Sequence, residues 1–315
     1  MRVLIYGAGV IGGELAHVLA RAGNDVTVLA RGQWKATLEK KGLIVRHYVQ
    51  LRTTTDCVRV IERLEPDDQY DLLFVVMQFG QLPAVLPIVA RNSSSYIVAV
   101  GNNPDAKNAQ KTLCSVYPEK EIAFGFQGSG GRRESGRVVS VHLNAGMTVG
   151  ALHGELSSAF QTRLDQAFAG AKYRLTPERD MDAWLKCHLA FILPVAYVCY
   201  SVDCQLPRAT KQQLWDIVGA GAEANTMLKS FGYPIRPDGQ EAFFTEQRKK
   251  CYRLLHFMAK TPLGRLAASD HCRNAEAEMQ LLDEEFEKLR EKAGMPMPTW
   301  DRLREQGRPV AGAHF

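Results

Sequence analysis

The chain has 315 residues, of which 46% are hydrophobic and 23% charged, and its formal net charge is +5. That length holds two domains and a sizeable core, and the balance excludes a disordered chain. The basic residues are scattered in short pairs such as Lys40-Lys41, Arg132-Arg133 and Lys249-Lys250, which read as solvated surface and exclude a nucleic-acid patch. Seven cysteines (Cys57, Cys114, Cys187, Cys199, Cys204, Cys251 and Cys272) are an odd number with no CxxC pair, which argues against a disulfide framework or a zinc ribbon. Reduced thiols in a cytoplasmic protein are the simplest account. The N-terminal apolar run is a strand broken by glycines, not a signal peptide. The longest apolar stretch, Leu189 to Tyr200, contains Pro194 and is too short to span a bilayer, so a buried helix and no membrane contact are expected.

The chain opens with an apolar run, Arg2 to Tyr6, followed by Gly7-Ala8-Gly9-Val10-Ile11-Gly12. This reads as a buried strand, a glycine turn and a helix. Gly7 makes the tight turn, Gly9 lets the backbone approach a pyrophosphate, and Gly12 lets the helix lie against the strand. The helix N-terminus offers free amides and a positive dipole end to phosphates. The helix covers Gly12 to Arg21, and a second strand, Asp25 to Ala30, follows within about thirty residues of the start, as a dinucleotide-binding unit requires. Where an NAD site places an acid for the ribose hydroxyls, this chain has Arg31. A guanidinium there pairs with a 2′-phosphate that a carboxylate would repel, so the cofactor expected is NADP(H).

Further strands are expected at Asp71–Met77, Tyr96–Val100, Glu121–Phe126, Val138–Val141 and Met147–Gly150, the last two as an antiparallel extension of the sheet. Gly128 to Gly131 reads as a loop and Ser157 to Ala169 as a helix. After about Pro177 helical periodicity takes over: Ala183–Tyr200, Lys211–Phe231, Thr245–Met258 and Ala275–Ala293, with Pro234, Pro262, Pro296 and Pro298 between or after them. In the last helix Met279, Leu282, Phe286 and Leu289 recur on one face. The expected architecture is an α/β Rossmann domain with a doubly wound, mostly parallel sheet (residues 1–177), then an all-α domain (residues 178–315) for substrate binding and dimerisation. The cleft between them is the default active site, and the long helical domain could support a homodimer.

Lys186 lies in Trp184-Leu185-Lys186-Cys187-His188-Leu189-Ala190, on an otherwise largely apolar helix. A lysine there either snorkels to the surface or is held at a site as a general acid. His188, two residues on, points away from it and reads as a core histidine. His142 has no obvious acidic partner in the sequence.

The combination of Val3–Gly12, Leu29-Ala30-Arg31-Gly32, Gly42-Leu43 and Trp184-Leu185-Lys186 resembles the ketopantoate reductase (2-dehydropantoate 2-reductase) family. The resemblance implies a Rossmann domain, a helical domain and reduction of a small 2-oxo acid by hydride from NADPH. It places the cofactor on Gly7 to Gly12, Arg31, Met77, Gln78 and Asn102. It makes Lys186 the general acid, Asn102 a group near nicotinamide and substrate, and Glu276, three residues after Arg273, a substrate-binding acid. The chain departs from the family at three places. Gln78 stands where a lysine is usual. Ala190 stands one helical turn after Lys186, where an asparagine is expected, and Pro194 stands a further turn on. The serine expected upstream of the glutamate has no clear match, although Ser269 is nearby. These departures imply a diverged pocket for a bulkier or more apolar substrate. An alternative reading is a catalytically weak NADP(H)-binding sensor that reports cofactor state to a partner.

Overall fold

The structure, a computed structural model, describes residues 1–142, 145–261 and 264–309; Pro262 lies outside them. The chain divides into two compact units, Met1–Met181 and Asp182–Phe315. The boundary expected after residue 177 falls at Met181, whose amide still donates to the Ala151 carbonyl of the first unit.

The first unit is built on an eight-stranded sheet. Its strands are β1 (Arg2–Tyr6), β2 (Asp25–Leu29), β5 (Arg59–Ile61), β6 (Leu72–Val76), β7 (Tyr96–Val100), β8 (Glu121–Gln127), β11 (Gly146–Gly150) and β12 (Arg174–Pro177), in the order β12-β11-β8-β7-β6-β1-β2-β5. The run from β5 to β8 is parallel, and β11 joins β8 antiparallel. Continuous apolar runs explain the central strands: Val3, Leu4 and Ile5 of β1 and Leu72 to Val75 of β6 are fully buried, as parallel strands covered on both faces require. Helices α1 (Val10–Arg21), α2 (Gly32–Lys41), α3 (Leu82–Arg91), α4 (Ala106–Leu113) and α5 (Ser158–Ala167) complete the unit. The chain order reverses at β1, whose neighbours are β2 on one side and β6 on the other. That makes the C-terminal end of β1 the switch point where ligands bind in such sheets.

A second sheet departs from expectation. It has four strands in the order β4-β3-β10-β9: β3 (Leu43–His47), β4 (Arg52–Asp56), β9 (Gly130–Glu134) and β10 (Arg137–Val141). The run Val138–Val141 therefore does not extend the main sheet. Gly130 and Gly131, expected in a loop, open β9 and pair with Val141 and Ser140. The reason is α1, which packs on the main sheet with apolar residues and on the second sheet with Gly13, Glu14 and His17. A Cβ on Gly13 would stand 2.9 Å from Val138 Cγ2, so the close approach of β10 at that point requires a glycine.

Buried polar groups fill this layer. Glu14, 1% exposed, accepts from Ser140 Oγ at 2.6 Å and from Gln127 Nε2 at 3.2 Å. His142 does have an acidic partner: its Nε2 lies 3.1 Å from Glu14 Oε1. His17 Nδ1 pairs with Asp56 Oδ2 at 2.5 Å, and the His17 and His47 rings stand 4.8 Å apart. Burial, then the neighbouring His17, Arg52 and His142, pushes the His47 imidazole down to about 4.

The second unit is helical. Its helices are α6 (Met181–Ser201), α7 (Lys211–Ser230), α8 (Gln240–Phe244) and α9 (Arg248–Lys260), then Asp270–Asn274, Glu276–Ala293 and Pro298–Gly307 after a π-helical turn, Arg265–Ser269. Helix α6 is longer than the apolar stretch Leu189 to Tyr200 that it contains. By length and composition it could cross a membrane, but 78% of its apolar window is buried inside the protein, as befits a core helix. Helix α7 starts at a reciprocal cap between Thr210 and Gln213. The last two helices are fastened to α6 by Asp283, which accepts from Tyr197 at 2.5 Å and from two nitrogens of Arg304 at 2.9 Å. All seven cysteines are free thiols.

The His47 shift gives a pH prediction. A folded-state value near 4 lies below the unfolded value of 6.5, so its neutral form stabilises the fold above pH 6.5 and that contribution is lost as pH falls toward 4. Chemical denaturation of His47→Gln should show a shallower stability loss over that window than the parent, by on the order of 1–2 kcal/mol. An unchanged slope would place the acid sensitivity elsewhere.

Candidate active site

The glycine turn is built as its sequence suggested, with the helix starting two residues earlier, at Val10. Gly7 has φ +117°, and a Cβ there would stand 2.2 Å from the Val76 carbonyl oxygen and 2.9 Å from Met77 Sδ. A Cβ on Gly12 would stand 1.9 Å from the Gly7 carbonyl oxygen. At Gly9 a Cβ would meet nothing within 4 Å. Two glycines thus close the turn while the third keeps its face open. Gly9 caps α1 without a side chain, and Ala8, Val10 and Ile11 complete the loop and first turn. The first amides of α1 remain available to an anion.

Arg31 follows β2 and precedes α2, on the open edge of the sheet, where its Nη2 donates to Tyr6 Oη at 3.4 Å. Both line a pocket of about 400 Å³ with Glu62, Arg63 and Glu65. Met77 and Gln78 follow β6 beside Gly7. The Gln78 side chain is engaged in a reciprocal cap with Gln81 at the head of the short 3₁₀ turn Phe79–Gln81 that leads into α3, a local role its sequence position did not reveal. Asn102 and Asn103 follow β7 and are buried. Asn102 Oδ1 and both side-chain polar atoms of Asn103 have no hydrogen-bond partner among the described residues. Buried amides left open at a strand end are ready to take a ligand's donors and acceptors. The open face of Gly9, the free helix amides, the arginine pocket and the open amides together fit a dinucleotide.

In the second unit Lys186 is 6% exposed and Asp182 fully buried. They lie one turn apart on α6, and Lys186 Nζ donates to Asp182 Oδ1. The ammonium also lies 4.9 Å from the centre of the Tyr233 ring. Lys186 is therefore buried and ion-paired within the fold and does not snorkel. A charge taken this far from water needs an opposite charge and a favourable ring face, and it has both. His188 stacks on Trp184 at 5.2 Å. Burial and then His271 push its imidazole down to about 3, which keeps it neutral. Glu276 starts its helix as a buried carboxylate, with an influence felt at Tyr200 and Cys204. Ser269 ends the π-helical turn, fully buried, with no partner for its hydroxyl among the described residues. Ala190 is fully buried, and Pro194, inside α6, has no N–H for the Ala190 carbonyl.

The sequence reading missed Asp182, Tyr233, Asn103 and Arg63. Asp182 was legible, four residues before Lys186 on one helix face. Tyr233 and Arg63 reach their places through loops and a three-residue strand, which carry no periodic signal.

The first unit is thus a Rossmann-type dinucleotide-binding domain and the second a helical domain carrying a buried lysine. Residues 3–154 match the family model described as Ketopantoate reductase PanE/ApbA. A 2-dehydropantoate 2-reductase from Pyrococcus horikoshii is 34% identical over 67 residues, 21% of this chain and 22% of that protein, so the match spans about a fifth of that relative's length. Among solved structures the chain is similar to a 2-dehydropantoate 2-reductase from Geobacter metallireducens, 17% identical with 97% of this chain and 98% of that one covered, at a TM-score of 0.74. It is similar also to D-mandelate dehydrogenase in a ternary structure with NADH and anilino(oxo)acetate, 14% identical with 97% and 96% covered, at a TM-score of 0.74. At these identities the structural likeness establishes the fold.

The three glycines separate structure from binding. Gly12→Ala should cost about 1–3 kcal/mol of stability, because the new methyl meets backbone. Gly9→Ala should leave the melting temperature nearly unchanged yet weaken binding of a nicotinamide dinucleotide by about tenfold or more, because its methyl would enter the open face of the turn where a pyrophosphate would approach. NADPH titration of Gly9→Ala with parental affinity would remove the pyrophosphate from this turn.

Proposed function

We propose that the chain is an NADPH-dependent reductase of 2-oxo acids with a pocket diverged from that of 2-dehydropantoate 2-reductases. The observation that carries this reading is Lys186, an ammonium buried against Asp182 and Tyr233 in a chain whose other unit bears a dinucleotide turn. A buried lysine with one partner on its own helix is placed to act as an acid on a group brought to it.

Gly9 to Gly12 and the first amides of α1 would hold the pyrophosphate, Arg31 the 2′-phosphate, and Met77, Gln78 and Asn102 the region toward the nicotinamide. A bound reduced nicotinamide cofactor supplies the hydride. The chain's own contribution is acid catalysis and orientation. Lys186 Nζ–H donates to the carbonyl oxygen of the 2-oxo acid as negative charge develops there, and regains its proton from solvent after release. Asp182 aims the ammonium by taking one of its hydrogens. Asn102 orients the nicotinamide or the substrate through its open carbonyl. Glu276 binds a hydroxyl or ammonium of the substrate, and Ser269 offers a second polar contact. Ala190 and Pro194 remove two polar side chains from α6, which favours an apolar substrate side chain over a hydroxylated one.

NADPH oxidation against a panel of 2-oxo acids that includes ketopantoate tests this reading, with NADPH binding measured in parallel. Turnover of an apolar 2-oxo acid in preference to ketopantoate is expected. Tight binding without turnover of any acid would favour a cofactor sensor instead, the reading that the lost asparagines also support.

Two substitutions divide the roles. Lys186→Ala should lower kcat by about 10²–10⁴ while NADPH affinity stays within about twofold. Arg31→Ala should weaken NADPH by about tenfold or more and leave NADH nearly unchanged; equal losses for the two cofactors would contradict the 2′-phosphate assignment.

A further inference from the structure

The pocket beside Arg31 contains more charge than one guanidinium. Tyr6 lines it from the end of β1, Arg31 from beyond β2, and Glu62, Arg63 and Glu65 from the segment after β5. The parallel register of β2 and β5, with Leu29 opposite Ile61, sets Glu62 and Arg63 level with Ala30 and Arg31. Glu62 accepts a hydrogen bond from Lys35 Nζ at 3.0 Å. That bond, with Lys35, Arg63 and Arg31 acting through charge, holds the Glu62 carboxyl below its usual range. Glu62 thus stands at the rim of a pocket of about 400 Å³ that Arg31 and Arg63 also line, paired with Lys35 and within reach of the arginines' charge.

A phosphate monoester carries more negative charge than a carboxylate and offers three acceptor oxygens, so it is better matched by two forked donors than by one. Arg63 is exposed, as is Arg31, so either can turn to a ligand without unpacking the core. Lys35 keeps Glu62 engaged at the rim, and a phosphate arriving there meets a carboxylate whose charge the nearby arginines already feel.

We propose that Arg63 is the second guanidinium of a clamp for a phosphate monoester on the adenosine ribose, and that Glu62 is the internal anion that competes with that phosphate. The proposal rests on the reading of NADP(H) as the cofactor. It extends that reading to a residue outside the glycine turn and β2, and it makes the strength of cofactor selection depend on Glu62 as well as on arginine.

The test uses adenosine 2′,5′-bisphosphate and adenosine 5′-monophosphate, which lack the nicotinamide and report on this end alone. Calorimetric titration of the parent chain should give tighter binding of the bisphosphate. Arg63→Ala should weaken the bisphosphate by about tenfold and the monophosphate by less than about twofold, and Glu62→Gln should tighten the bisphosphate by a few-fold. Both sites are on the surface, and matched melting temperatures would confirm intact folds. If Arg63→Ala weakens both probes alike, or neither, Arg63 is no phosphate ligand. If Glu62→Gln fails to tighten the bisphosphate, Glu62 is no competitor. A parent that binds both probes equally overturns the NADP(H) reading and this inference with it. A parent that prefers the bisphosphate, and loses the preference in Arg31→Ala but keeps it in Arg63→Ala, overturns this inference alone.

Discussion

Helix α1 begins where the carbonyl of Gly7 almost touches the backbone of Gly12. A Cβ on residue 12 would stand 1.9 Å from that oxygen. The approach can exist only with glycine, and much of the first unit follows from it. It points the start of α1 at the C-terminal edge of β1, and it brings Gly7 against the Val76 carbonyl at the end of β6. Because β1 lies between β2 and β6, the same edge carries Arg31 on one side and Met77 on the other. Beyond β6, the end of β7 presents the open amides of Asn102 and Asn103. One steric constraint therefore lines up groups drawn from four separate stretches of sequence.

Much of this arrangement is legible in the amino-acid sequence. Continuous apolar runs mark β1, β6 and β7, because a strand buried on both faces admits few polar residues. The glycine spacing marks the turn, and Arg31 stands at the right distance from it. The second sheet is not legible, and the reason is physical. Strand β4, Arg-Thr-Thr-Thr-Asp, has one buried residue, Asp56, and β9 reads Gly-Gly-Arg-Arg-Glu. Such strands are held by pairing with β3 and β10 and by packing on α1, not by a hydrophobic alternation of their own. The same layer explains why the sequence shows no acidic partner for His142. Glu14 lies on another element, 128 residues earlier in the chain, and only the packing of α1 under β10 brings them together.

In the second unit the helices are readable from their periodicity, but the environment of Lys186 is only half so. Its apolar helix announces an anomaly. The i–4 aspartate that stabilises it is in plain view, whereas Tyr233 arrives through the turn after α7. Position by position, Ala190 and Pro194 look like two independent losses. In the helix they are linked, since proline at 194 withdraws the N–H that the Ala190 carbonyl would otherwise meet.

The grip on α1 from two sides has a further consequence. Leu15, Ala16 and Leu19 are buried in the core, and Gly13 lies against Val138 of the second sheet. Glu14 is tied to Ser140 and Gln127 by hydrogen bonds. A helix clasped in this way has little freedom left to lose when an anion docks at its first turn. Docking there is then preorganised: the entropic cost falls mainly on the ligand and on the exposed arginines, with little reordering of backbone. Differences in affinity between related dinucleotides should accordingly arise at the exposed side chains beyond β2 and β5, and the glycine turn should contribute nearly the same to each.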